Sequence, residues 1–224
     1  MLEQQNIRTL SKKELTDFFI EKGEKAFRAK QVYEWLWKKG ATSFDEMTNL
    51  SYELRAMLNK YFIFNAVRVA EKQISSDRTI KNAFRLYDEK ITEGVLIPTP
   101  KRMTACISSQ VGCSLSCAFC ATGKLNRLRN IDAEEIFDQV VLIKNQAESH
   151  YQRPLSNIVY MGMGEPLLNY KNVLQSIEKI TSEEGLGMSP KRITVSTAGI
   201  AKMIKKLYDP NLIQSLRNKQ KRNE

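Results

Sequence analysis

Three of the four cysteines in this 224-residue sequence lie in the stretch CSLSCAFC, where Cys113, Cys117 and Cys120 are spaced C-x3-C-x2-C. Cys106 sits seven positions upstream, and no cysteine follows Cys120. Clustered thiols without a secretory signal point to metal or redox chemistry in a reducing compartment, not to structural disulfides. One reading closes a tetrahedral zinc site with Cys106 as the fourth ligand, but zinc sites are usually built from paired C-x2–4-C hooks, which this spacing does not supply. Three thiolates on a short loop suit three irons of a [4Fe–4S] cube and leave the fourth iron to a non-protein ligand. An electron carrier would use all four iron positions, so an open iron points to chemistry on a molecule bound there. Cys106 taken alone also reads as a small buried strand residue.

Such a loop needs a scaffold that holds it at a rim. Residues 100–207 alternate strand and helix. TACISSQVG reads as a strand running into the cysteine loop, and Asp132-Ala133-Glu134-Glu135 caps a helix carrying Ile136, Val140, Val141 and Ile143. NIVYMG is a buried strand followed by the helix KNVLQSIEKITSEEG, and RITVSTAG is a third strand followed by IAKMIKKL. Three successive βα units predict a parallel sheet with its functional loops at the C-terminal ends of the strands. The loops CSLSCAFC, GMGEP (Gly162 to Pro166) and STAGI then share one rim. GMGEP alone is a weak signal, since Gly/Pro-rich turns end many strands.

Upstream, residues 1–65 read as a compact helical module. Ser11-Lys12-Lys13-Glu14 and Ser43-Phe44-Asp45-Glu46 are candidate capping boxes, FRAKQVYEWLWKKG ends at Gly40, and SYELRAMLNKYF is amphipathic. Trp35 and Trp37 are expected to pack, although either ring could stack on a base. Residues 66–99 alternate β-branched, aromatic and polar residues, which predicts a short antiparallel extension with a turn at Asp88-Glu89-Lys90. After Leu207 a basic tail, 208–224, offers no fourth strand, so the parallel sheet is expected to end on an open edge.

The net charge of +10 is uneven: residues 94–131 carry five Lys or Arg and no acid. An acid-free stretch around a candidate site suits a polyanionic partner, and Lys101, Arg102, Lys124, Arg127 and Arg129 mark a candidate phosphate path. The sequence has no run of about eighteen apolar residues and no apolar leader, so no membrane span is expected and the chain reads as cytoplasmic.

The cysteine spacing with Phe119 before the last ligand, the GMGEP loop after the second strand and Ser196 at the end of the third together resemble the radical S-adenosylmethionine (SAM) enzymes. FRAKQVYEWLWKKGATSFDEMTNLS, TACISSQVGCSLSCAFCATG, VYMGMGEPLLNY and ITVSTAGI resemble, more closely, the branch that methylates C2 of adenine in 23S rRNA and tRNA. The resemblance implies an α/β fold, an incomplete radical SAM (βα) partial barrel behind the helical module and the antiparallel extension. It implies a [4Fe–4S] cluster on Cys113, Cys117 and Cys120, with SAM on the open iron touching Gly164, Glu165 and Ser196. It also implies a methyl-cysteine route. One SAM methylates a cysteine near the C-terminus, and a second yields a deoxyadenosyl radical that abstracts hydrogen from that methyl group. The methylene radical then adds to C2. Glu93 is the implied proton acceptor, and Cys106 the cysteine that releases the product by forming a disulfide with the methyl carrier. The implied partners are 23S rRNA, tRNA and an electron donor such as flavodoxin or ferredoxin, with the protein a monomer.

The chain lacks a cysteine that could carry the methyl group and the later strands of the barrel. It is expected to be a shortened form, as from a frameshift or premature stop, that does not complete methylation alone. The alternatives are a sister enzyme acting on C8 of adenine and a non-enzymatic zinc-binding RNA module.

Overall fold

A computed structural model describes residues 4–208, so most of the basic tail at 208–224 lies outside the described residues. Helix α1 (Lys12–Glu21) starts at Ser11 with the expected capping box: Ser11 Oγ accepts the Glu14 N–H, and the Glu14 carboxylate accepts the Ser11 N–H. Helix α2 (Phe27–Glu34) continues through a π-turn, Trp35–Lys39, and stops at Gly40. Gly40 has φ +70°, and a Cβ there would sit 2.8 Å from Val141 Cγ1, so a glycine is needed both for the turn and for the close approach.

The second expected capping box, at Ser43, starts no helix. The Glu46 carboxylate instead accepts the Thr42 N–H and the hydroxyls of Thr42 and Ser43, closing a turn, and α3 (Tyr52–Tyr61) begins only after Ser51. Short polar side chains serve turns as readily as helix starts, which is why the pattern misled. Trp37 is buried edge-on against Phe137, and Trp35 is half-buried, its indole N–H donated to Asn49.

The strands β1 (Arg68–Ile74), β2 (Ile80–Arg85), β3 (Ile91–Pro98) and β4 (Met103–Ile107) form antiparallel neighbours. A two-residue ribbon, β5 (Gln110–Val111) with β6 (Arg129–Asn130), follows and precedes α4 (Ala133–Tyr151). Then come β7 (Asn157–Tyr160), α5 (Tyr170–Thr181), β8 (Ile193–Val195) and α6 (Ala201–Leu207). The main sheet runs β8-β7-β4-β3-β2-β1, parallel from β8 to β4 and antiparallel beyond. The antiparallel extension is thus hydrogen-bonded directly to the first parallel strand. Among the described residues the sheet does not close into a barrel.

Strand alternation divides this sheet into two unlike faces. Ile80, Phe84, Leu96, Ala105, Ile107, Ile158 and Tyr160 are buried in the core beneath α4 and α5. The other face is lined by Lys81, Glu93, Val95, Cys106, Val159 and Thr194, placed together by the pairings Lys81–Val95, Val95–Cys106, Cys106–Val159 and Val159–Thr194. The helical module is locked to α4 from the helix side. Arg8 makes a buried ion pair with Asp138 and donates to the Ala41 carbonyl at 2.9 Å, while the second Asp138 oxygen accepts the Val67 N–H at 3.0 Å.

Candidate functional site

Three loops meet above the parallel strands. Strand β4 ends where Gln139 of α4 captures both backbone groups of Ser108: its Oε1 accepts the Ser108 N–H at 2.9 Å, and its Nε2 donates to the Ser108 carbonyl at 3.1 Å. The chain then passes through the β5–β6 ribbon, which closes the base of the cysteine loop. Arg129 pins that base from outside. Its guanidinium spans the carboxylates of Asp88, in the turn before β3, and Glu135, in the first turn of α4, at 2.7–2.9 Å. The Arg129 hydrogen bonds hold the Asp88 carboxyl well below the usual carboxylate range.

The second loop, GMGEP, is pressed against the first. The Met163 carbonyl accepts the N–H groups of Ser109 and Gln110, Ser108 Oγ accepts the Met163 N–H, and Gln110 Oε1 accepts the Glu165 N–H at 2.9 Å. Gln110 also donates to Asn130 at 2.8 Å, tying this loop to the ribbon. Glu165 is buried, and its two carboxylate oxygens accept the N–H groups of Leu167 at 2.9 Å and Ala198 at 2.7 Å. The second bond fastens the third loop to the second.

Gly164 stands at φ +92°, where a Cβ would fall 2.4 Å from Gln110 Cβ. Gly164→Ala is therefore expected to displace the loop and cost about 1–3 kcal/mol. Gly187→Ala, at φ +63° with nothing within 4 Å, is expected to cost less. Urea unfolding of the two variants checks the difference.

The three loops enclose a cavity of about 230 Å³ lined by Cys113, Cys117, Cys120, Phe119, Met161, Gly162, Gly164, Glu165 and Ser196, among others. All three cysteines of the loop are partly exposed free thiols. Backbone N–H groups meet two of the sulfurs: Leu115 donates to Cys113 Sγ at 3.4 Å, and the N–H of Gly123 lowers the Cys120 thiol from its ordinary value. The one carboxylate lining the cavity accepts two backbone N–H groups, and three thiols are the soft donors gathered there. The donor set thus fits an iron–sulfur cube bound through three thiolates. Among the described residues no three Cys, His, Asp or Glu side chains converge as ligands of a single metal ion.

Cys106 lies outside this loop, half-buried on the open sheet face, and burial pushes its thiol up while the N–H of Met161 opposes the shift. Met161 also lines the cavity, so one residue bridges Cys106 and the cysteine loop. Glu93 is on the same sheet face and pairs with Lys81 at 2.7 Å, both side chains about half exposed. All four cysteines are free, so the expected disulfide has no counterpart among the described residues.

The proposed phosphate path is corrected. Lys101 and Arg102 lie in the turn before β4, at the opposite end of that strand from the cysteine loop, and Arg129 is committed to two carboxylates. Only Lys124 and Arg127 of that group stand beside the cysteines. Sequence reasoning also missed Gln139, Gln110 and Lys81. An isolated Gln inside the apolar run IFDQVVLI was the one available signal for Gln139.

Comparison with known proteins agrees with this geometry. Residues 5–63 match the family described as Ribosomal RNA large subunit methyltransferase N-terminal domain, and residues 107–217 match the Radical SAM superfamily. The chain is 65% identical over 203 residues to a probable dual-specificity RNA methyltransferase RlmN of Cytophaga hutchinsonii, covering 91% of this chain and 56% of that protein. It is 62% identical over 204 residues to the Christiangramia forsetii counterpart, covering 91% and 58%. A dual-specificity RNA methyltransferase RlmN of Syntrophus aciditrophicus is 45% identical over 202 residues, covering 90% and 58%. The crystal structure of a radical SAM methyltransferase from Sphaerobacter thermophilus superposes with TM-score 0.83 at 36% identity, covering 92% of this chain and 60% of that one. The chain thus spans a little over half the length of the curated relatives it matches.

Proposed function

Because the chain belongs to the RlmN family of radical SAM enzymes, we propose that it carries the cofactor-cleaving part of a methyltransferase acting on C2 of adenine in 23S rRNA and tRNA. The observation that carries this reading is the convergence of Cys113, Cys117, Cys120, Gly164, Glu165 and Ser196 on one cavity, bridged by Met161 to Cys106. When bound, the [4Fe–4S] cluster and SAM supply an electron and a reactive deoxyadenosyl group. The three loop cysteines hold the cluster as thiolates. Gly164 lets the backbone approach SAM, Ser196 offers a hydroxyl, and Glu165 lines the SAM site while keeping the two loops that carry them in register.

On the sheet face below, Glu93 accepts the proton lost from C2, and Lys81, paired with its carboxylate at 2.7 Å, holds it in place until RNA arrives. Cys106 waits as a thiol and releases the product. The adenine must leave its stack to reach this face, which suits loops and splayed bases in RNA. In this reading the protein works as a cytoplasmic monomer, and among the described residues no helix is long and apolar enough to cross a membrane.

The four cysteines present are all assigned, and none remains to carry a methyl group. Residues 1–224, reconstituted anaerobically with iron and sulfide and given reductant and SAM, are therefore expected to form 5′-deoxyadenosine. RNA incubated in the same mixture is expected to gain no 2-methyladenosine. Zinc without iron in the protein, or methylated RNA from this polypeptide alone, would each refute part of the proposal.

A further inference from the structure

Strand register carries the line of side chains that contains Cys106 across the whole open face of the sheet. Thr194, Val159, Cys106, Val95, Lys81 and Gln73 are successive partners from β8 to β1. Lys81 is the one cation in that line. It stands two strands from Cys106, about 10 Å at the usual strand spacing. The next cation of β2 on the same face, Arg85, is already held by Glu89 of the adjoining turn at 2.6 Å.

Among the described residues Lys81 has one anionic partner, the Glu93 carboxylate at 2.7 Å, and both side chains are about half exposed. An exposed ion pair of this kind contributes little, so the ammonium can leave it for another anion at small cost. The proposed chemistry requires that it leave. Taking a proton from C2 turns Glu93 into a neutral acid, and the pair then has no charge to hold it. The ammonium needs another anion at that point. A nucleotide turned out of its stack brings one with it, because its backbone phosphates follow the base to the site.

We propose that Lys81 is the ligand for a phosphate flanking the target adenosine. It holds the Glu93 carboxylate before RNA docks and moves to the phosphate as RNA arrives. The inference rests on the reading of this sheet face as the place where the adenine is modified. A compact ammonium on a flexible four-carbon stem suits a phosphate bound as a point charge. Such a contact fixes the position of the RNA on the protein without reading its sequence. The C2 proton passes to Glu93, Lys81 stays an ammonium throughout, and the phosphate replaces the charge that the carboxylate loses.

The test measures binding of the anaerobically reconstituted chain to an RNA hairpin with one unpaired adenine in its loop, across a salt series. K81M is expected to lower the slope of log affinity against log salt by about 0.7, the share of one single-strand phosphate, or about eightfold in affinity between 1 M and 0.05 M salt. K81R keeps a cation and is expected to keep the slope. Two further hairpins each carry an uncharged methylphosphonate in place of one of the two phosphates beside that adenine. On one of them the unaltered chain, K81R and E93Q should each lose about as much affinity as K81M loses on the native hairpin. K81M should lose nothing more there. Equal losses in the unaltered chain and K81M on both hairpins would overturn the contact, as would an unchanged salt slope in K81M. The methylphosphonate hairpins probe the phosphate without altering the protein, so an unaltered chain indifferent to both overturns the contact however K81M folds. If the unaltered chain has no salt-dependent affinity for the native hairpin, the reading of this face as an RNA site fails first, and the role of Lys81 with it.

Discussion

Cys117→Ser is expected to abolish the brown iron–sulfur absorption and to bring SAM cleavage to background. The loop offers three thiols to one cavity, no fourth thiol lines it among the described residues, and the lining carboxylate of Glu165 is a hard donor tied to two backbone N–H groups. A serine hydroxyl is a hard ligand that stays protonated at neutral pH, so it does not replace a soft thiolate on iron. The loss should exceed the 10- to 100-fold that removal of an outer partner usually costs, roughly the size expected for Gln110→Ala. Cys106→Ser is the informative companion. It leaves all three cavity thiols in place and should retain the absorption and 5′-deoxyadenosine formation. A closed four-cysteine zinc site would instead lose its metal in both variants. Iron and zinc content, visible spectra and product analysis on the two proteins decide between these outcomes.

Arg8→Ala is expected to be the most damaging substitution away from the cavity. Arg8 and Asp138 are both buried, and among the described residues Asp138 receives one further hydrogen bond, from the Val67 N–H. Removing the guanidinium leaves a carboxylate in the seam between the helical module and α4, a change that typically costs about 3–5 kcal/mol. For a chain of this size that corresponds to a fall in Tm of about 10 °C or more. The pH dependence has a definite sign. Burial raises the Asp138 carboxyl and Arg8 opposes it, so deleting Arg8 raises the folded-state pKa further. A raised pKa favours the folded state below the unfolded value and penalises it as pH rises through the folded one. The Arg8→Ala deficit should therefore be small in acid and grow toward neutral pH. Asp138→Asn, which carries no charge, should show no such growth. Urea unfolding across that range measures both.

The legible part of the molecule was the part governed by local pattern. The three βα units, the capping boxes at Ser11 and Asp132, the terminal glycine of α2 and the shared rim of the three loops all follow from periodicity and helix-end chemistry. What escaped depends on contacts between distant segments. Ser43 to Glu46 has the spacing of a helix start, yet the Glu46 carboxylate is used by Thr42 and Ser43. The charge count grouped Lys101 and Arg102 with Lys124, but a whole strand separates them. Arg129 looked like a phosphate ligand and is a strut between Asp88 and Glu135, which lie 47 residues apart in the sequence. No periodicity announces that Lys81 stands beside Glu93, because the pairing is set by strand register.

That register also determines where this protein can tolerate added length. Glu93, Val95 and Cys106 share a face only because β3 and β4 pair through the short turn at residues 99–102. An inserted residue there slips the pairing by one and turns every second side chain of a strand toward the helices, so Glu93 and Cys106 would no longer meet. The hairpin turn at Ser75–Thr79 joins β1 to β2 at the far margin of the sheet, two strands from Cys106, and can lengthen without disturbing them. Among natural relatives, length variation should accumulate at that outer hairpin and be absent from the inner turn.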